Sequence, residues 1–101
     1  MNIGELQRFQ QRHDSEFHKD VMSFSKEKQI EHSTFHLAKL TGILATYCEK
    51  SHHGEAVVLL GTKERIADIL VFALKLSNLF DVDLEKSSIE RIKRVEKLRK
   101  K

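Results

Sequence analysis

Ile30-Glu31-His32-Ser33-Thr34-Phe35-His36-Leu37-Ala38-Lys39-Leu40-Thr41-Gly42-Ile43-Leu44-Ala45 decides the fold of this chain. Ile30, Thr34, Leu37, Thr41, Leu44 and Cys48 recur on one face at helical spacing, and Leu40, Ile43 and Tyr47 on another. That spacing predicts a helix over residues 30–49 with two faces to bury. A second stretch, Lys63-Glu64-Arg65-Ile66-Ala67-Asp68-Ile69-Leu70, opens a helix predicted over residues 62–80. Glu64 and Asp68 are four apart there and share a face. In the first stretch His32, His36 and Lys39 follow at spacings of four and three. Polar groups on an apolar helix are costly to bury unless they find partners. Two such helices side by side therefore make a metal or phosphate site, or a set of ion pairs.

Composition limits the alternatives. A chain of 101 residues is one domain with a modest core. Its hydrophobic share of 40% is low and its charged share of 33% is high. A small helical protein with much surface has this composition, as does a subunit that completes its core by oligomerising. There is no proline, so the strongest helix breaker is missing. No apolar run approaches the ~20 residues that span a bilayer, so no membrane partner is expected. No basic-then-apolar N-terminal pattern suggests a secretory signal. Cys48 is the single cysteine, which leaves no internal disulfide and no cysteine-based zinc site. A cytoplasmic location is the default expectation, and the apolar face around Cys48 predicts core packing for it.

Outward from the central pair, a first helix is predicted over residues 3–22. Its stripe is Ile3, Leu6, Phe9, His13 and Phe17, with a break near His13-Asp14-Ser15. Ser25 is the candidate N-cap of the next helix, with Glu27 in its first turn. That helix ends in a polar stretch closed by Gly54. The apolar run at residues 56–60 is too short for periodicity to assign, and reads as extra helix or a packed connector. Gly61 and Thr62 supply a break and a cap. The helix that follows is apolar nearly all round after Asp68, with Ile66, Ile69, Leu70, Ala73 and Leu74 on one stripe and Phe72, Leu76 and Leu79 on another. Such a helix is covered on all sides, and a four-helix domain cannot easily enclose one of its own members. A homo-oligomer, a dimer or tetramer joined through the central helices, is the expected solution. Asp83 is the predicted cap of the last helix, whose narrow stripe is Ile89, Ile92, Val95 and Leu98.

Charge is unevenly spread. Residues 84–101 carry eight basic side chains against three acidic ones, a net of +5; the chain is +3, so the remainder is −2. A basic last helix is either a solvated face or a phosphate contact. A small basic nucleic-acid-binding protein is the function class this would serve. No aromatic residue interleaves with these charges, which argues against a single-strand binding surface.

The order of helices and several local patterns resemble the MazG-type all-α nucleoside triphosphate pyrophosphohydrolases over nearly the whole chain. Gly42-Ile43-Leu44-Ala45 resembles the Gly-Glu-Leu-Ala of the family's first metal motif. Glu64-Arg65-Ile66-Ala67-Asp68-Ile69-Leu70 resembles the Glu-Glu-Leu-Ala-Asp-Val-Leu of its second. The stretch from Leu74 to Leu84 resembles the helix end and aliphatic-Asp-Leu turn that follow. The resemblance implies a four-helix, MazG-like bundle completed by homo-oligomerisation. It also implies carboxylates of Glu-Glu-x-x-Glu and Glu-x-x-Asp holding Mg²⁺, and conversion of a nucleotide to its monophosphate plus pyrophosphate.

This chain departs from that pattern at most ligand positions. Aligned on Gly42, Lys39, Leu40 and Ile43 stand at the Glu-Glu-x-x-Glu sites; aligned on Asp68, Arg65 replaces the glutamate of Glu-x-x-Asp. Asp68 remains, with Glu64 at a shifted spacing. Mg²⁺ requires oxygen ligands in octahedral geometry, and two-metal phosphoryl chemistry needs carboxylates to place both ions. Activity is therefore expected to be weak or lost. If it survives, Asp68 and Glu64 are the catalytic, metal-holding pair. Lys39 and Arg65 are expected to replace the metals and pair with Asp68 and Glu64, either as a structural remnant or, with His36, as candidate ligand-binding residues that seat a nucleotide phosphate. In a further reading His32 and His36 bind a transition metal together with Glu64 or Asp68, since imidazole suits Zn, Ni or Cu better than Mg. In the plainest one the histidines pack or cap. The alternative function is a non-catalytic oligomer that binds a nucleotide or a protein.

Overall fold

The structure, a computed structural model, describes residues 1–54 and 59–100. Among them every regular element is helical: α1 (Ile3–Phe17), α2 (Lys19–Met22), α3 (Lys26–His52), α4 (Leu59–Leu79) and α5 (Leu84–Arg99). Among the described residues no helix is long and apolar enough to cross a membrane.

Local chemistry sets the boundaries. Asn2 caps α1 with a reciprocal box: its side chain accepts from Glu5 N–H, and Glu5 accepts from the Asn2 N–H. Ser25 caps α3 through the Lys28 N–H and Asp83 caps α5 through the Lys86 N–H, both as the sequence predicts. Gly54, at φ +79°, takes the left-handed conformation that follows α3. At the end of α4 that conformation falls to Asp81, at φ +53°, while the Val82 N–H closes onto the Ser77 carbonyl at 2.9 Å.

Two boundaries differ from expectation. The first helix divides at His18, not at His13-Asp14-Ser15. The Asp14 carboxylate is occupied by the side chains of Gln10 and Lys75, so it caps nothing and its backbone stays helical. The fourth helix has begun by Leu59, which puts Gly61 and Thr62 inside it. A lone glycine costs only about 1 kcal/mol against alanine, and packing on α3 outweighs that. The apolar run at 56–60 lies outside the described residues in its first part, 56–58.

α3 and α4 form an antiparallel hairpin: His36 stacks on Phe72, while Gln29, near the start of α3, shares a pocket with Asn78 and Leu79 near the end of α4. The packed stripe of α3 is Gln29, Ser33, His36, Leu40, Ile43 and Tyr47. Thr34, Thr41 and Cys48, expected on a buried face, are exposed. The two threonine hydroxyls satisfy themselves on the carbonyls of Ile30 and Leu37, so exposure costs the helix nothing.

α1 covers the C-terminal half of α4. Its packed stripe is Ile3, Leu6, Gln7, Gln10 and Asp14, and Phe9 and Phe17 face outward instead. Polar residues win this face because each closes hydrogen bonds there. Gln7 donates to the Val82 carbonyl, accepts from the Leu84 N–H, and takes the Asn78 amide on its own carbonyl.

The core is thin. Among the described residues the buried apolar side chains are Leu40 and Leu74. The radius of gyration is 16.4 Å, against about 13 Å for a compact chain of this length. Leu74 and Ser77 are buried on α4, and four, seven and eight residues back on the same face lie Leu70, Ala67 and Ile66. These three are exposed, Ile66 at 57% and Leu70 at 41%. Where α1 ends, the apolar face of α4 continues uncovered.

Candidate functional site

α1, α2, α3 and α4 enclose a pocket of about 130 Å³. His18 builds its rim: at φ −125°, ψ 44° it ends α1 while its N–H still reaches the Asp14 carbonyl at 2.9 Å. The single turn of α2 then brings Val21 and Met22 over the opening. Gln29 ties this turn to α3 by donating to the carbonyls of Phe24 at 2.9 Å and Met22 at 3.3 Å. Ser33 and His32 line the α3 wall, and Lys75, Asn78 and Leu79 the α4 wall.

The floor is charged. Lys75 Nζ lies 3.3 Å from Asp14 Oδ1, with the two side chains 19% and 10% exposed. Gln10 Nε2 donates to the same oxygen at 3.0 Å, and His18 Nε2 stands 4.0 Å from it. Among the described residues this buried ion pair joins α1 to α4. Sequence reasoning placed the charge pairing between α3 and α4. Its missed signal was the polar series Gln7, Gln10, Asp14 at helical spacing, passed over for the apolar stripe beside it.

The residues singled out from sequence lie on the α3–α4 hairpin and fall into two groups. His32 and His36 meet, ring centroids 4.5 Å apart, and His36 lies parallel to Phe72 at 5.0 Å. Arg65 and Asp68 meet one turn apart on α4, Nη1 to Oδ2 3.4 Å, both partly exposed. The Arg65 Nε is buried without a hydrogen-bond partner. Lys39 and Glu64 are exposed, and no ion pair joins Lys39 to Asp68 among the described residues. Among the described residues His32 and His36 gather no carboxylate into a metal-sized cluster. Among the described residues the group of three that does gather is His13, Asp14 and His18.

Burial holds the His36 imidazole below its ordinary range, helped by His32, Lys39 and Lys75, which disfavour a further positive charge. The unfolded chain takes up this proton near pH 6.5, whereas the native chain takes it up only at lower pH. Protonation in that window favours the unfolded state, so this contribution is constant above pH 6.5 and declines as pH falls below it. Melting temperatures of the parent chain and His36→Gln, followed from pH 7.5 to 5, are expected to show a shallower acid decline in the variant. Parallel curves would show that His36 does not titrate differently on folding.

The pocket offers two imidazoles, an ammonium neutralised by a carboxylate, and the amides of Gln11 and Asn78. It is smaller than the 300–1,000 Å³ of a typical small-molecule site. Comparison with known proteins finds no matching family model, no matching characterised protein and no matching solved structure.

Proposed function

We propose that this chain is a subunit of a homo-oligomeric, MazG-like nucleotide-binding protein whose Mg²⁺-dependent pyrophosphohydrolase activity is weak or lost. The observation that carries this reading is the distribution of charge on the α3–α4 hairpin. Lys39 stands exposed where the resemblance requires a carboxylate, Glu64 is exposed, and Asp68 is engaged by Arg65. A hard divalent ion bridging a triphosphate needs several oxygen ligands at one point, and this arrangement favours anion binding over metal binding. Lys39, Arg65 and His36 are the groups proposed to meet the phosphates. The exposed free thiol of Cys48 fits a reducing, cytoplasmic setting. A protein-binding oligomer is the second reading, favoured by the uncovered apolar face of α4.

The test follows pyrophosphate release from the common ribo- and deoxyribonucleoside triphosphates with Mg²⁺ or Mn²⁺, alongside the melting temperature with each nucleotide. Little turnover, with a rise in melting temperature that Lys39→Ala and Arg65→Ala diminish, is the expected result. Robust turnover abolished by Asp68→Ala would show that a rearranged carboxylate set suffices for hydrolysis. Absence of any nucleotide-dependent shift would favour the protein-binding oligomer.

A further inference from the structure

We propose that His13, Asp14 and His18 form a binding site for one divalent transition-metal ion, outside the hairpin residues considered above. One ligand atom from each lies within 4.8 Å of the others. Ligands about 2.0–2.1 Å from a tetrahedral ion stand roughly 3.4 Å apart, so the trio is open by little more than 1 Å. His18 can close that gap. It sits at the break between α1 and α2, and its side chain is 41% exposed.

Two observations point to an ion. The His13 Nδ1 is buried and has no hydrogen-bond partner; a buried polar atom without a partner is uncommon in folded proteins, and a metal lone-pair bond would satisfy it. The three protein groups around the Asp14 carboxylate, Gln10 Nε2, Lys75 Nζ and His18 Nε2, all approach the same oxygen, Oδ1. Gln10 and Lys75 thus hold the carboxylate in place as outer partners while it faces His18.

The donor set selects the ion. Two imidazoles and one carboxylate suit Zn²⁺, Co²⁺ or Ni²⁺ rather than Mg²⁺ or Ca²⁺. The adjoining pocket, with Asp14 and His18 on its wall, gives the ion a path from solvent and room for a water as fourth ligand. The Lys75 ammonium beside Asp14 repels a cation, which makes binding weaker than the same donors would give without it.

The experiment titrates the chelator-stripped chain with Zn²⁺ by calorimetry and with Co²⁺ by visible absorption. One ion per chain and a tetrahedral Co²⁺ spectrum are expected. His18→Ala and His13→Ala should each weaken binding by about 10-fold or more, and the double variant His52→Ala/His53→Ala should leave it unchanged. His18 is partly exposed and lies between α1 and α2, so its variant is expected to keep the fold, which circular dichroism checks. Zn²⁺ should also raise the melting temperature of the parent chain and not that of His18→Ala. The proposal is overturned by absence of saturable binding at tenfold excess Zn²⁺. It is equally overturned if the His52/His53 variant abolishes binding while His13→Ala and His18→Ala do not.

Discussion

Lys75→Met is expected to destabilise the fold by about 3 kcal/mol, the lower end of the range for breaking a buried ion pair. Its partner Asp14 is only 10% exposed. Without the ammonium, the carboxylate keeps Gln10 and a distant His18 but no close opposite charge. For a chain of this size such a loss is a large share of the total stability. Adding Asp14→Leu should recover much of it, because removing both charges removes the desolvation cost as well as the attraction. Urea unfolding of the two single variants and the double variant measures the coupling. A double variant whose loss equals the sum of the singles would show that the pair does not hold α1 on α4.

The second large effect is on assembly. Ile66→Asp with Leu70→Asp is expected to leave the chain helical and monomeric. Both side chains are exposed in the single chain, so neither substitution disturbs the hairpin. Burying such a side chain against a partner is worth about 1.5–3 kcal/mol. In a twofold assembly each position counts twice, and charges there would also be desolvated. Association should weaken by at least ~1,000-fold, since each 1.4 kcal/mol is a factor of ten. Light scattering at matched concentrations checks this. An unchanged mass in the double variant would move the interface elsewhere, and α1 with Phe9 and Phe17 outward is the next face to test.

How much was legible from sequence differs by element. Caps were readable because they are local: Ser25 and Asp83 each need only a backbone N–H three residues on. The helical character of α3 and α4 was readable from apolar spacing. Which face of each helix packs was not. Of the two α3 faces that apolar spacing offered, the one with Leu40, Ile43 and Tyr47 packs, while Thr34, Thr41 and Cys48 on the other, and Phe9 and Phe17 on α1, are exposed. Polar residues that close several long-range hydrogen bonds, as Gln7 does, displace apolar ones from a seam, and their partners lie more than 70 residues away. The Asp14–Lys75 pair was hidden for the same reason: one sequence carries no sign of which distant cation meets a given carboxylate. His32, His36, Arg65 and Asp68 all lie on the hairpin, and helical spacing alone could not say that they meet in two separate pairs.

The surplus apolar surface of α4 was legible, because stripes on two faces of one helix exceed what its neighbours in a small domain can cover. That surplus is the basis for reading the chain as one subunit of a larger assembly. Sedimentation equilibrium across a range of micromolar concentrations tests it directly. The expected result is a mass at a whole multiple of the 11.8 kDa chain, two or four, with dissociation only on dilution. A helical species of 11.8 kDa at every concentration would contradict it.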